Sequence, residues 1–326
     1  MMPRYLPAAT LVVALAAPAI AAHASESPAD YPSHPIRLLL PISAGSGGDI
    51  LGRVLAERMS AILKQPIVVE NKGGASGIIG TQAVARSAPD GYTFTLGGAT
   101  THMLNAAVYT KLPYDPVKDF TAIGQVGTAA ILLVASNDFP ANDIKELVAY
   151  TRSHPNEVQY ASWGTGSTGQ FCGEVLKQLA GASMTHIPYK TVPQVLNDIV
   201  AGHIKLGYVD MTSGTPFVKS GKVKAIGTCT SRSPSLPGVK SYVDEGIDFD
   251  RVFRWGLYVP AGTPKPIVQK LSDALNQVLA TPQIKARLLE MGIAAAPMSG
   301  EELGKLNARD IPAWKEVART AGVTQD

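Results

Sequence analysis

The sequence predicts an α/β fold in which two parallel-type sheets are joined by two hinge crossings. Short apolar strands alternate with segments of helical period, the pattern of βα units around a parallel sheet. The alternation comes in two series, with crossings near residues 128 and 231, and a helical part is left over at the C-terminus. About 300 residues also exceed what one hydrophobic core usually serves, so two domains are expected.

Before the fold comes a leader. Arg4 precedes an apolar run over 8–22, broken at Thr10 and Pro18, and Ala22-His23-Ala24 precedes Ser25. A basic start, a short apolar core and an A-x-A site form a signal peptide for residues 1–24, with cleavage after about Ala24. The run is too short, and too disrupted by proline, to cross a bilayer. An exported chain is therefore expected. Its first domain is discontinuous, 25–128 plus 232–326, and encloses a second at 129–231.

Residues 36–42 read as a buried strand, 43–48 as a loop, and Ile50, Leu51, Val54, Leu55 and Met59 as one face of a helix from Asp49. A strand at 66–70, a helix at 77–87, the turn Pro89-Asp90-Gly91 and a strand at 92–96 follow. The second series has strands at 130–135, 158–162, 184–188, 204–209 and 223–228, and helices near 143–153, 170–180 and 193–201. Serine and proline mark a return crossing at 231–237. Beyond it lie a strand at 255–259, a helix at 265–280, and two more helices announced by Pro282 and by Ser299 with Glu302 as a capping box.

Composition narrows the function. The net charge is +3, of which Arg4 supplies one unit; the +2 left after cleavage is too small to argue for nucleic acid. The six histidines are far apart and lack metal-ligand spacing, so no metal and no cofactor are expected. Cys172 and Cys229 can pair in an oxidising compartment, but spacing alone does not decide whether they do.

In open α/β sheets ligands bind beyond the carboxyl ends of strands. Four small, glycine-rich loops fall there, at 43–48, 73–77, 97–102 and 164–169. Glycines admit a ligand close to the backbone, and the free N–H groups that open each helix suit an anion. The candidate residues are Ser43, Ala44, Ser46, Gly47, Gly48 and Asp49 on the first loop, with Thr101 and His102 on the third. Trp163, Thr165, Gly166, Ser167 and Thr168 come from the fourth loop, and Tyr189 and Asp210 follow later strands.

Two enzyme-like patterns fail on context. Residues 164–169 match G-x-G-x-x-G, but the next strand ends Pro188-Tyr189-Lys190 without the acidic residue that would hold a ribose. Residues 44–48 resemble a relaxed nucleophile elbow around Ser46, yet no histidine follows His203, and the order of groups argues against a hydrolase.

At this point the motifs resemble a known family, the Bug-type periplasmic solute receptors of tripartite tricarboxylate transporters. The matching pieces include Tyr31-Pro32, the loop 41–49, Val69-Glu70-Asn71, Ala88-Pro89-Asp90-Gly91-Tyr92, Lys111-Leu112-Pro113-Tyr114-Asp115-Pro116, His186-Ile187-Pro188-Tyr189-Lys190 and Pro260-Ala261-Gly262-Thr263-Pro264. The resemblance implies a two-domain periplasmic binding protein, type II-like, that closes on one solute. It also implies a carboxylate held by 43–49, another polar end held by 165–168, and binding through amides, hydroxyls and water. The expected partners are a small organic carboxylate or amino acid and membrane permease subunits, with the receptor a monomer in the periplasm and not an enzyme. A sensory binding protein signalling to a membrane kinase is the alternative, with a serine hydrolase behind it. Ile42-Ser43-Ala44, Trp163, Gln170, Thr191 and Asp210-Met211 depart from the usual pattern around the cleft. They leave C4 dicarboxylates, amino acids and aromatic acids all open as ligands.

Overall fold

The structure, a computed structural model, describes residues 27–249, 251–320, 322 and 323; the expected signal peptide lies outside the described residues. Its first sheet begins with β1 (Ile36–Leu40), β2 (Ile67–Asn71) and β3 (Thr93–Gly97), which pair in parallel with β1 in the middle. Between β1 and β2 runs α1 (Gly47–Leu63), and between β2 and β3 runs α2 (Ile78–Ala85). Leu51, Leu55, Met59 and Leu63 recur every four residues along α1 and are all buried, as a single apolar stripe facing a core requires.

Three further strands complete this sheet, β4 (Phe120–Ala129), β10 (Phe253–Pro260) and β11 (Ile293–Ser299), in the order β11-β4-β10-β3-β1-β2. The second sheet contains β5 (Ile131–Ala135), β6 (Val158–Ser162), β7 (Met184–Pro188), β8 (Leu206–Asp210) and β9 (Lys224–Thr228), in the order β7-β6-β8-β5-β9. Its helices are α4 (Ile144–Ser153), α5 (Thr168–Ala180), α6 (Val192–Ala201) and α7 (Met211–Lys219). The short α3 (Asn105–Val108) precedes β4, and α8 (Lys265–Ala280), α9 (Pro282–Glu290) and α10 (Gly300–Thr320) belong to the C-terminal part.

The two-sheet α/β architecture is as the sequence predicts, but the sheets are mixed, not wholly parallel. β10 runs antiparallel to β3 and β4, β11 antiparallel to β4, and β5 antiparallel to β8 and β9. The cause is the connectivity: β4 leaves the first sheet, β5 enters the second one residue later, and β10 is the return strand. The return path from Thr228 occupies 229–252, longer than the Ser/Pro stretch alone suggests.

Each sheet has its own core. Leu38, Leu40, Phe94, Leu257, Leu271 and Leu275 are among the residues buried between the first sheet and its helices α1 and α8. In the second sheet, Leu133, Tyr160, Tyr208 and Phe171 pack on one face, and Leu132, Val134 and Val195 on the other. α10 joins the two units. Its Asp310 pairs with Arg254 of β10 at 2.9 Å, and Trp314 packs edge-on to Phe171 of α5 with ring centroids 5.2 Å apart. Cys172 of α5 and Cys229, just beyond β9, form a disulfide.

Candidate functional site

The carboxyl ends of β1, β3, β6, β7 and β8 open onto one cavity of about 730 Å³ between the two sheets. That volume falls within the ~300–1,000 Å³ of small-molecule sites. From the first unit, Ser43, Ser46, Gly48 and Thr101 line it; from the second, Trp163, Thr165, Thr168, Tyr189 and Asp210. Nine expected residues thus meet at one place.

The β1–α1 loop is shaped by its own hydrogen bonds. Gly45 has φ +78°, a conformation open to glycine but costly for other residues, and it lets the chain turn into the helix. Ser46 stands at the N-cap in an extended conformation, and its hydroxyl donates to the Ser43 carbonyl at 2.8 Å, so Ser46 does not itself cap the first amides of α1. Asp49 does not border the cavity. Its carboxylate accepts the Gly45 N–H at 2.9 Å, the Asn71 amide at 2.9 Å and the Arg53 guanidinium at 3.0 Å, and so braces the loop from behind. Burial pushes the Asp49 carboxyl up, but these hydrogen bonds together hold it below its ordinary 3.8. A lowered pKa means stabilisation that is present above pH 3.8 and lost as the pH falls through the lowered value. Asp49→Asn is therefore expected to cost about 1.5–3 kcal/mol near neutrality, the usual contribution of hydrogen bonds to a charged group. In urea titrations the gap from wild type should shrink as the pH drops below that range; a gap independent of pH would contradict the role.

The β6–α5 loop is built similarly. Gly164 and Gly166 have φ +134° and +76°. Ser167, fully buried, caps α5: it accepts the Gln170 N–H at 3.3 Å and donates to the Gly164 carbonyl at 2.6 Å. Ser162 lies behind it, 2.7 Å from His186 Nε2, and burial pushes that imidazole down to about 4. Ser167 and Gly166 thus hold the loop's shape, while Trp163, Thr165 and Thr168 face the cavity.

The two units also touch across the cavity. Ser76 donates to the Thr165 carbonyl, and the Thr168 N–H points to Thr100 Oγ1 at 3.4 Å. Asp210 caps α7 by accepting the Ser213 N–H at 2.9 Å, and it also accepts the Gly47 N–H at the opening of α1. A Cβ on residue 47 would lie 2.0 Å from Asp210 Oδ1, so only glycine fits this approach.

Against known proteins, residues 51–323 match the tripartite tricarboxylate transporter family receptor. The chain belongs to this family. A protein of Cupriavidus necator, named for the gbd 5′ region, is 31% identical over 98% of each chain. The solved periplasmic binding protein BugD is 35% identical and covers 91% of this chain and all of its own, with TM-score 0.85. An R. palustris protein solved with adipate is 29% identical over 90% of this chain and 99% of its own, with TM-score 0.86. The family is one of solute-binding receptors, not enzymes, which answers the hydrolase reading of Ser46.

Within this receptor, His102 stands apart from the other candidates. It is 1% exposed and stacks on Tyr258 with centroids 3.8 Å apart; Nδ1 meets Thr101 Oγ1 at 3.0 Å. Burial pushes its pKa down to about 3, so the ring is a neutral core group behind the cavity wall. Ala44 and Gly47 likewise stand off the lining, Gly47 behind the Asp210 contact. The sequence reading missed Ser76, Tyr109, Arg254 and Trp255, all on the wall. Trp255 and Arg254 lie within β10, not at a strand's carboxyl end, and Tyr109 follows a short helix that no motif marks. The glycines at 73–77 signalled the Ser76 loop.

Proposed function

We propose that this receptor is exported, its leader cleaved after about Ala24, and that it holds a small organic carboxylate in the cavity for delivery to membrane permease subunits. Domain 1 (25–128 and 232–326) and domain 2 (129–231) close about the crossings near 128 and 231, and the receptor acts as a monomer. One observation carries this reading: the first turns of α1 and α5, from opposite units, face one cavity to which the described residues bring no buried, unpaired cation. Among the described residues, Arg254 lines the cavity but is paired with Asp310, and Lys190 is exposed at the rim. Helix N-terminal amides carry a fixed partial positive charge that attracts anions. The adipate seen in the R. palustris relative is a carboxylate, in keeping with this chemistry.

If amide dipoles hold the anion, Lys190→Met should weaken binding by at most about tenfold, 1.4 kcal/mol. Removing one partner of a buried ion pair would instead cost about 3–5 kcal/mol. Calorimetry of wild type and variant with the carboxylate recovered from periplasmically expressed protein makes the test. Loss of all binding in a folded Lys190→Met protein would refute the amide-dipole seat.

A further inference from the structure

The cavity wall joins each helix opening to an indole. Trp255 of β10 lies against the first turn of α1: a Cβ added at Gly48 would sit 2.9 Å from its Cη2, and one at Gly98 2.9 Å from its Cζ3. Trp163, from the other unit, lies against the first turn of α5, where a Cβ at Gly169 would sit 2.7 Å from its Cζ3. Both indoles pack against glycines, both remain partly exposed, and both line the cavity. A carboxylate at either helix opening therefore carries its organic body alongside a tryptophan. Tyr109, Phe253 and Met211 continue this apolar wall.

Two charged side chains of the wall are already engaged. Arg254 is occupied by Asp310 at 2.9 Å. The Asp210 oxygens already accept the Ser213 N–H and hydroxyl and the Gly47 N–H, which leaves them a poor seat for the ammonium of an amino acid. Room is not limiting either, because about 730 Å³ lies in the upper part of the range for ligand cavities.

Building on the carboxylate-receptor reading above, we propose that the solute is a carboxylate with an aromatic body, its carboxylate at a helix opening and its ring against Trp163 and Trp255. Ring–ring contacts of this kind add free energy beyond area burial. Calorimetry of the full mature protein with benzoate, phenylacetate, 4-hydroxybenzoate, adipate, malate and aspartate tests it. An aromatic acid should bind at least about tenfold tighter than every aliphatic acid or amino acid in the set. Trp163→Ala should remove most of that preference while Trp163→Phe keeps it, and ligand should alter the indole fluorescence of the wild type. The wild-type ranking decides the matter even if the alanine variant misfolds. Tightest binding of adipate, malate or aspartate would overturn the aromatic assignment and leave the carboxylate receptor standing. No binding of any acid in the set, with an uncharged solute recovered from the protein, would overturn the carboxylate reading itself.

Discussion

Replacing both cysteines, Cys172→Ala with Cys229→Ala, is expected to lower the folding stability by about 4 kcal/mol, because the bridge closes a loop with a sequence separation of 57. Loops of ~15 and ~100 residues bracket this figure at about 3 and 4.7 kcal/mol in the chain-entropy description. The bridge ties α5, whose first turn faces the cavity, to the exit of β9, where the return path to the first sheet begins. Both sulfurs lie in the apolar cluster with Tyr160, Tyr208 and Tyr242, and the Tyr242 hydroxyl donates to the Cys172 carbonyl at 3.0 Å. The helix therefore keeps its packing partners without the bridge, and solute affinity should change far less than stability. Urea titration should show a lower midpoint together with a larger slope, since an unbridged unfolded chain exposes more surface. A stability loss under about 1 kcal/mol would mean that the unfolded chain is already constrained in this region.

β1 with α1, and β6 with α5, were legible in the sequence because an apolar run, glycine turns and a helical stripe follow one another without competing signals. β11 was not: its sequence is Ile-Ala-Ala-Ala-Pro-Met-Ser, poor in strand-favouring residues. It holds as an edge strand, irregular between Ala295 and Met298 where Pro297 falls, the kind of place a sheet tolerates proline. α7 was hidden by Pro216 inside it, although Asp210 caps its start. In the site, loop position identified the lining of both helix openings but could not tell a side chain that faces the cavity from one that shapes the loop behind it. Asp49 and Ser167 have the residue types of ligand-gripping groups and spend their hydrogen bonds on Gly45, Asn71, Gly164 and Gln170 instead. His102 followed a strand on the correct side, yet one further turn of backbone carries it into the stack with Tyr258.

Asp210→Ala should weaken solute binding by roughly ten- to a hundredfold, or about 1.4–2.8 kcal/mol, although the ligand is assigned to the helix openings. The reason is that Asp210 belongs to both units at once. It caps α7 through Ser213 and, across the cavity, accepts the Gly47 N–H at the start of α1. Losing the cap costs typically about 1 kcal/mol in either form of the receptor. The Gly47 contact differs, because it exists only when the two units are together. Without Asp210, closing the cavity buries an amide with no partner, a penalty of about 1–3 kcal/mol that falls on the closed form alone. A solute that binds the closed form must overcome that shift, so affinity drops and the free protein spends more time open. Asp210→Asn is the conservative control, since its carbonyl oxygen can still cap the helix and accept the Gly47 N–H; binding should stay within several-fold of wild type. Acid titration adds a sign. Burial raises the Asp210 carboxyl above its ordinary 3.8, so its contribution to stability is full below pH 3.8 and is lost as the pH rises through the raised value, the reverse of Asp49. The stability of wild type relative to Asp210→Asn should accordingly decline as the pH rises above about 4. Small-angle scattering of the alanine variant should show a larger radius of gyration than wild type at the same subsaturating solute concentration. Equal compaction together with wild-type affinity would rule out a latch at this position.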